Sequence, residues 1–127
     1  MAPTFLTLDE VLEIHRDQLA RYGGSDGIRD LGLLQSAIAQ PQATFGGQFL
    51  HADLFEIAAA YLYHLVQNHA FVDGNKRVGA VVAIVFLGMN DQELRITNVE
   101  LESLVLSVAQ SQIDKPAIAH FFRSHAI

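Results

Sequence analysis

Residues 53–89, DLFEIAAAYLYHLVQNHAFVDGNKRVGAVVAIVFLGM, decide how the chain reads: two apolar helical patterns separated by a short polar loop. Asp53 with Glu56 three residues later is a helix-start signal, and Leu54, Ala58, Tyr61, Leu62 and Leu65 recur at the spacing of one buried face. The second helix begins near Asn75 and is apolar on every side from Val78 to Leu87, a pattern that places it at the centre of a bundle. Its apolar run, Val78 to Met89, falls short of the roughly 20 residues that span a bilayer.

Working outward, Thr7 and Glu10 form a capping-box pattern ahead of Leu8, Val11, Leu12, His15, Leu19 and Tyr22, and Gly23 and Gly24 end that first helix. Asp30 caps a second helix with Leu33, Leu34, Ala37 and Ile38 on one side, and Pro41 marks its end. Between Gln42 and Ala52 the sequence is irregular and contains glycine. Beyond the central pair, Asn90 and Asp91 break the chain, and Leu94 to Ile96 leaves room for a brief extended segment. Thr97 and Glu100 repeat the capping box before Leu101, Leu104, Val105 and Val108, and Asp114 caps a last helix burying Ile118, Phe121 and Phe122. About six helices, with no repeat, low-complexity tract or linker, predict a compact all-α bundle around a central buried helix, one domain over residues 1–127.

Composition narrows the function classes. The net charge is −6, from 8 Lys and Arg against 14 Asp and Glu, so no chain-wide electrostatic footprint for nucleic acid exists. With no cysteine there is neither a disulfide framework nor a thiolate metal site, which suits a reducing cytoplasm. The N-terminus MAPTFLTLDE lacks the features of a secretory signal. Expectation: a cytoplasmic protein with no membrane or direct nucleic-acid partner.

Chemistry concentrates between His69 and Arg77. A helix N-terminus offers free N–H groups and the positive end of the dipole, so Gly74 and Asn75 put backbone donors beside a bound anion, and Gly74 has no side chain to block it. Lys76 and Arg77 add two cations that repel the dipole and each other unless an anion is present. Asp73 is the loop's one carboxylate, and magnesium in nucleotide sites takes one or two carboxylates plus phosphates and water. His69 has the side chain most often used to take a proton from a hydroxyl near neutral pH. Phe71 would anchor the loop in the core. Taken singly these are a helix cap, a turn dipeptide and a solvated face. Together, at fixed spacing between two strong helices, they read as a phosphate-handling active site.

With those residues in view, the chain resembles the Fic fold superfamily and, more narrowly, the Doc (death on curing) toxins of toxin–antitoxin modules. The Fic signature runs His, Pro, Phe, any residue, Asp or Glu, Gly, Asn, Gly, Arg, two residues, Arg. His69, Phe71, Asp73, Gly74, Asn75 and Arg77 match it; Ala70 replaces the proline, Lys76 the second glycine and Ala80 the last arginine. The last two departures are typical of Doc, although Doc carries alanine where this chain has Gly74. The likeness extends to Arg21–Gly24, Gly27, Arg29, Asp30 and Gly32, and to the Asp53–Tyr61 helix.

The resemblance implies a toxin of a type II module that transfers the terminal phosphate of ATP, with Mg2+, to a threonine of elongation factor Tu and so inhibits translation. His69 would then be the general base, Asp73 the magnesium ligand, and Gly74, Asn75, Lys76 and Arg77 the phosphate holders. Fic proteins in general transfer a nucleoside monophosphate; Ala80 favours terminal-phosphate transfer because the arginine fork that clamps the other pose is missing. The alternatives are a Fic-type adenylyl transferase, or a non-catalytic module whose groove receives a partner helix. A cognate, Phd-like antitoxin inserting an amphipathic helix is the implied partner. The self-inhibitory pattern of some Fic proteins, Ser or Thr followed four residues on by Glu and then Gly or Asn, is not found. By the same likeness Gln48, Phe49 and His51 belong to a flap over the site, although the stretch reads equally as an ordinary surface loop. The histidines at 15, 51, 64, 120 and 125 form no HExxH spacing, are expected mostly on helix faces or the surface, and give no structural metal site.

Overall fold

A computed structural model describes residues 2–127, and within them the chain forms six α-helices: α1 (Leu8–Tyr22), α2 (Leu31–Ala39), α3 (Leu54–Gln67), α4 (Asn75–Met89), α5 (Asn98–Ala109) and α6 (Lys115–Ser124). The fold is all-α. Helix starts follow the expected caps: Thr7 and Thr97 make complete capping boxes with Glu10 and Glu100, and Asp30, Asp53 and Asp114 each accept the N–H of the third helical residue. Gly23, at φ 80, ends α1, a backbone conformation in which a side chain would be strained. Pro41 lies in a single 3-10 turn, Gln40–Gln42, directly after α2.

The central helix is α3 rather than α4. Six consecutive residues, Ile57 to Leu62, are buried, because α3 packs against α2, α4, α5 and α6 at once. The alanines at 58–60 are what permit neighbours on opposite sides to approach, whereas α4 leaves Val85 and Met89 partly open to solvent. Gly79 sets the α3–α4 approach: a Cβ there would lie 2.9 Å from Val66 Cγ2. Tyr61, Phe71, Phe86 and Phe122 are the largest fully buried side chains, and Tyr61 uses its hydroxyl to accept the N–H of Leu6 at 3.1 Å.

The irregular stretch carries a small antiparallel hairpin, β1 (Thr44–Phe45) and β2 (Gln48–Phe49), turning through Gly46 and Gly47 at φ 60 and 80. A two-residue Gly-Gly turn is the signal for it, and strands of two residues are too short to show alternation. At the other end, Leu94 pairs only as a single bridge to Ala126, so the extended segment expected at 94–96 is no more than that contact.

Candidate functional site

The loop after α3 folds around Asn75. The Asn75 side chain closes a two-way bond with the backbone of Phe71, accepting its N–H and donating to its carbonyl, both at 3.0 Å. Phe71 is thereby pressed into the core and stacks on His15 with ring centroids 3.9 Å apart and planes at 8°. His15 donates from Nε2 to the Asp73 carbonyl at 2.9 Å. These contacts turn the chain so that Gly74, at φ 84, leads directly into α4.

A second segment runs along the loop's outer edge. Val72 N–H donates to the Gly27 carbonyl at 3.0 Å, and the Arg29 and Asp30 N–H groups both donate to the Ala70 carbonyl, at 2.7 and 3.0 Å. Ser25 N–H donates to Asp73 Oδ2 at 3.1 Å. Gly24 allows that approach, since a Cβ there would stand 2.9 Å from the same oxygen.

Together these place His69, Asp73, Gly74, Asn75, Lys76 and Arg77 around one cavity of about 530 Å³, with Tyr22, Gly23 and Gly24 forming the opposite wall. No side chain caps α4, and the first N–H closing back onto the turn is that of Val78, to the Gly74 carbonyl at 2.9 Å. The N–H groups of Asn75, Lys76 and Arg77 are left for solvent or a ligand. Lys76 and Arg77 are exposed and form no ion pair among the described residues; Arg77 rests over the Tyr22 ring, 5.0 Å from its centroid. Asp73 is held below the usual carboxylate range, chiefly by the Ser25 and Gly74 N–H groups it accepts, with Arg77 and His15 adding to the effect. His69 is exposed, and its backbone is left-handed, with φ 48.

Among the described residues no three His, Cys, Asp or Glu side chains converge, so no all-protein metal cage exists. Asp73 suits the one-carboxylate case instead: each oxygen accepts one backbone N–H, Oδ1 from Gly74 at 2.8 Å and Oδ2 from Ser25, and keeps a further lone pair. A larger cavity, about 620 Å³, lies between α5 and α6. Its lining is mostly apolar, and its Glu100 and His125 are paired with each other at 2.8 Å, so it lacks the unmatched charge of the loop site.

Several expectations change. His15 is a buried brace of the loop rather than a face residue; its signal was its place on the apolar stripe beside Val11. His64 is half-buried beside the Lys115 ammonium, 3.2 Å away, and desolvation first and Lys115 second push it down to about 4. His51 is turned inward with Nε2 shut off from solvent, and residues 42–52 line no part of the cavity, which leaves the exposed Gln48 and Phe49 as the outward part of the hairpin. Asn75 contributes its backbone to the cavity while its side chain is spent on Phe71. Ser25 and Arg29 act through contacts that leave no spacing signal.

A family model described as the Fic/DOC family matches residues 5–87, which takes in α1 to α3, the entire loop and α4 as far as Leu87. The chain belongs to the Fic/DOC family. Among curated Fic/DOC relatives, "Toxin Doc" of Mycolicibacterium smegmatis is 42% identical over 100 residues, covering 77% of each chain. "Protein kinase doc" of Escherichia phage P1 is 31% identical over 115 residues, covering 91% of this chain and 90% of the phage protein. The Fic/DOC match thus spans both loops that build the site, while α5 and α6 lie beyond it.

Proposed function

We propose that this chain is the toxin of a type II toxin–antitoxin module and that it transfers the terminal phosphate of ATP to a threonine of elongation factor Tu, stopping translation. The observation that carries the reading is the start of α4: free N–H groups, two unpaired cations and one exposed, acid-shifted carboxylate meet at a single cavity. Names of the relatives, a toxin and a protein kinase, support the same class of activity.

In this reading the free N–H groups of Asn75, Lys76 and Arg77, with the Lys76 and Arg77 side chains, hold phosphate oxygens; Gly74 leaves room for them while its own N–H is spent on Asp73 Oδ1, and Asp73 would hold magnesium, which would offset charge on the phosphates. His69 takes the proton of the threonine hydroxyl as its oxygen bonds to the terminal phosphorus. The bond from that phosphorus to the bridging oxygen breaks, and ADP leaves with the electron pair. Position 80 carries a buried alanine in place of a guanidinium fork, which supports transfer of the terminal phosphate over the nucleotidyl group. A cognate antitoxin, Phd-like and offering an amphipathic helix, would restrain the activity.

Incubating the purified protein with elongation factor Tu and ATP labelled at either the γ or the α phosphate tests this. Label from the γ position alone should reach the target. Label from the α position would make the chain an adenylyl transferase. Absence of ATP and magnesium binding by calorimetry would leave only a partner-binding module.

A further inference from the structure

We propose that Arg29 is a positioning residue: it holds His69 in its left-handed backbone conformation and so aims the imidazole at the acceptor hydroxyl, an inference that rests on reading His69 as the general base. Residues other than glycine seldom occupy positive φ, histidine being among the few that do so more readily, and such a conformation persists where the surroundings hold it. His69 stands at φ 48 between Asn68, the last residue of the α3 turn at φ −74, and the buried Ala70.

Arg29 grips three successive carbonyls around that residue. Its Nε donates to the His69 carbonyl at 2.6 Å, Nη2 donates to the Asn68 carbonyl at 3.2 Å, and its own backbone N–H donates to the Ala70 carbonyl at 2.7 Å. The Asn68 carbonyl belongs to the peptide plane before His69 and the His69 carbonyl to the plane after it. Fixing both planes fixes φ and ψ of the residue between them. From the far side, Asn68 Nδ2 donates to the Leu33 carbonyl at 2.9 Å and tethers the same turn to α2. A guanidinium suits this task because its donors form a rigid fork and because the carbonyls at a helix C-terminus are unpaired and carry the negative end of the dipole. Lysine offers one point charge and cannot orient two planes. Arg29 is absent from the cavity wall, so phosphate binding at α4 does not depend on it.

Transfer kinetics with R29A, R29K, H69A and R29A/H69A test the proposal. R29A should lower kcat by about 10- to 100-fold with KM for ATP unchanged, as expected for a misaimed reacting group. R29K should resemble R29A, because charge without the fork does not restore the geometry. The loss should vanish in the H69A background. A loss of equal size in that background, a change in KM alone, or full activity in R29A would overturn the proposal. If H69A is as active as the unaltered protein, the base reading has failed. The backbone clamp is then judged alone by a crystal structure of R29A, or of R29K should R29A not fold. Release of His69 to negative φ supports the clamp, and φ remaining near 48 removes it.

Discussion

Five helices of this protein begin in one way and α4 begins in another. α1, α2, α3, α5 and α6 start from Thr7, Asp30, Asp53, Thr97 and Asp114, each side chain accepting the N–H of the third helical residue. Such a cap is worth about 1 kcal/mol. α4 starts from a left-handed glycine with no cap and with Lys76 and Arg77 in its first turn, where each cation opposes the dipole by roughly 0.3–1 kcal/mol. The chain contains the residue type that would cap this helix, Asp73, but directs its carboxylate to Ser25 and Gly74 instead. Where the other starts serve stability, this one keeps positive charge and free donors available, and that is the physical argument for placing function there.

The largest effect that sharpens the contrast is at the loop. H69A should slow phosphate transfer by about 10²- to 10⁴-fold, the range for a lost general base, while the melting temperature stays put because the side chain is exposed. An unchanged rate would take His69 out of the mechanism. Next comes the packing that carries α4: in G79A the new Cβ would stand 2.9 Å from Val66 Cγ2, 3.3 Å from Leu62 Cδ1 and 3.4 Å from the Leu62 carbonyl oxygen. Overpacking of this kind costs about 1–3 kcal/mol and outweighs the roughly 1 kcal/mol that alanine gains over glycine in a helix. Urea unfolding should therefore show a net loss of stability, and a midpoint raised by G79A would mean the helices are not this close.

The same contrast explains what was legible in the sequence. Caps and apolar spacing announce themselves locally, so the starts at Thr7, Asp53, Thr97 and Asp114 and the six helices could be read directly. The pattern of Val78 to Leu87 was apolar on all sides and drew attention to α4, yet three consecutive alanines in α3 marked the true centre, because only small residues let neighbours close in from every direction. The candidate site was half legible: His69 and Asp73 to Arg77 lie in one contiguous stretch and share a cavity. The other half is supplied by the Ser25 N–H on Asp73, the Arg29 guanidinium on the His69 carbonyl and His15 on the Asp73 carbonyl, contacts made across 40 to 58 residues of sequence that depend on three-dimensional placement.

A smaller effect tests the stability side alone. T97A removes the hydroxyl that accepts the Glu100 N–H at 3.1 Å and should cost about 1 kcal/mol in urea unfolding. Phosphate transfer should be unaffected, since α5 touches no part of the cavity at α4. A matching loss of activity would show that the capped starts and the open one are not separate in purpose.

The smallest effect lies beside that cap. His125 donates from Nδ1 to the Phe121 carbonyl and pairs through Nε2 with Glu100, both at 2.8 Å; the carbonyl first and the carboxylate second raise its affinity for a proton above the ordinary value of 6.5. A group with a raised folded-state pKa binds its proton more tightly when folded, so its contribution is complete below about pH 6.5 and fades as pH climbs through the raised value. The melting-temperature gap between the unaltered protein and H125Q should accordingly be wider at pH 5.5 than at pH 8.5. A gap that stays constant would mean the Glu100 pair contributes nothing through charge. Asp73 stays ionised across this window because its own pKa is lowered, so the acid-side gain at α6 comes without neutralising the carboxylate at α4. One end of the molecule can therefore change its stability with pH while the charge of Asp73 at the loop holds still.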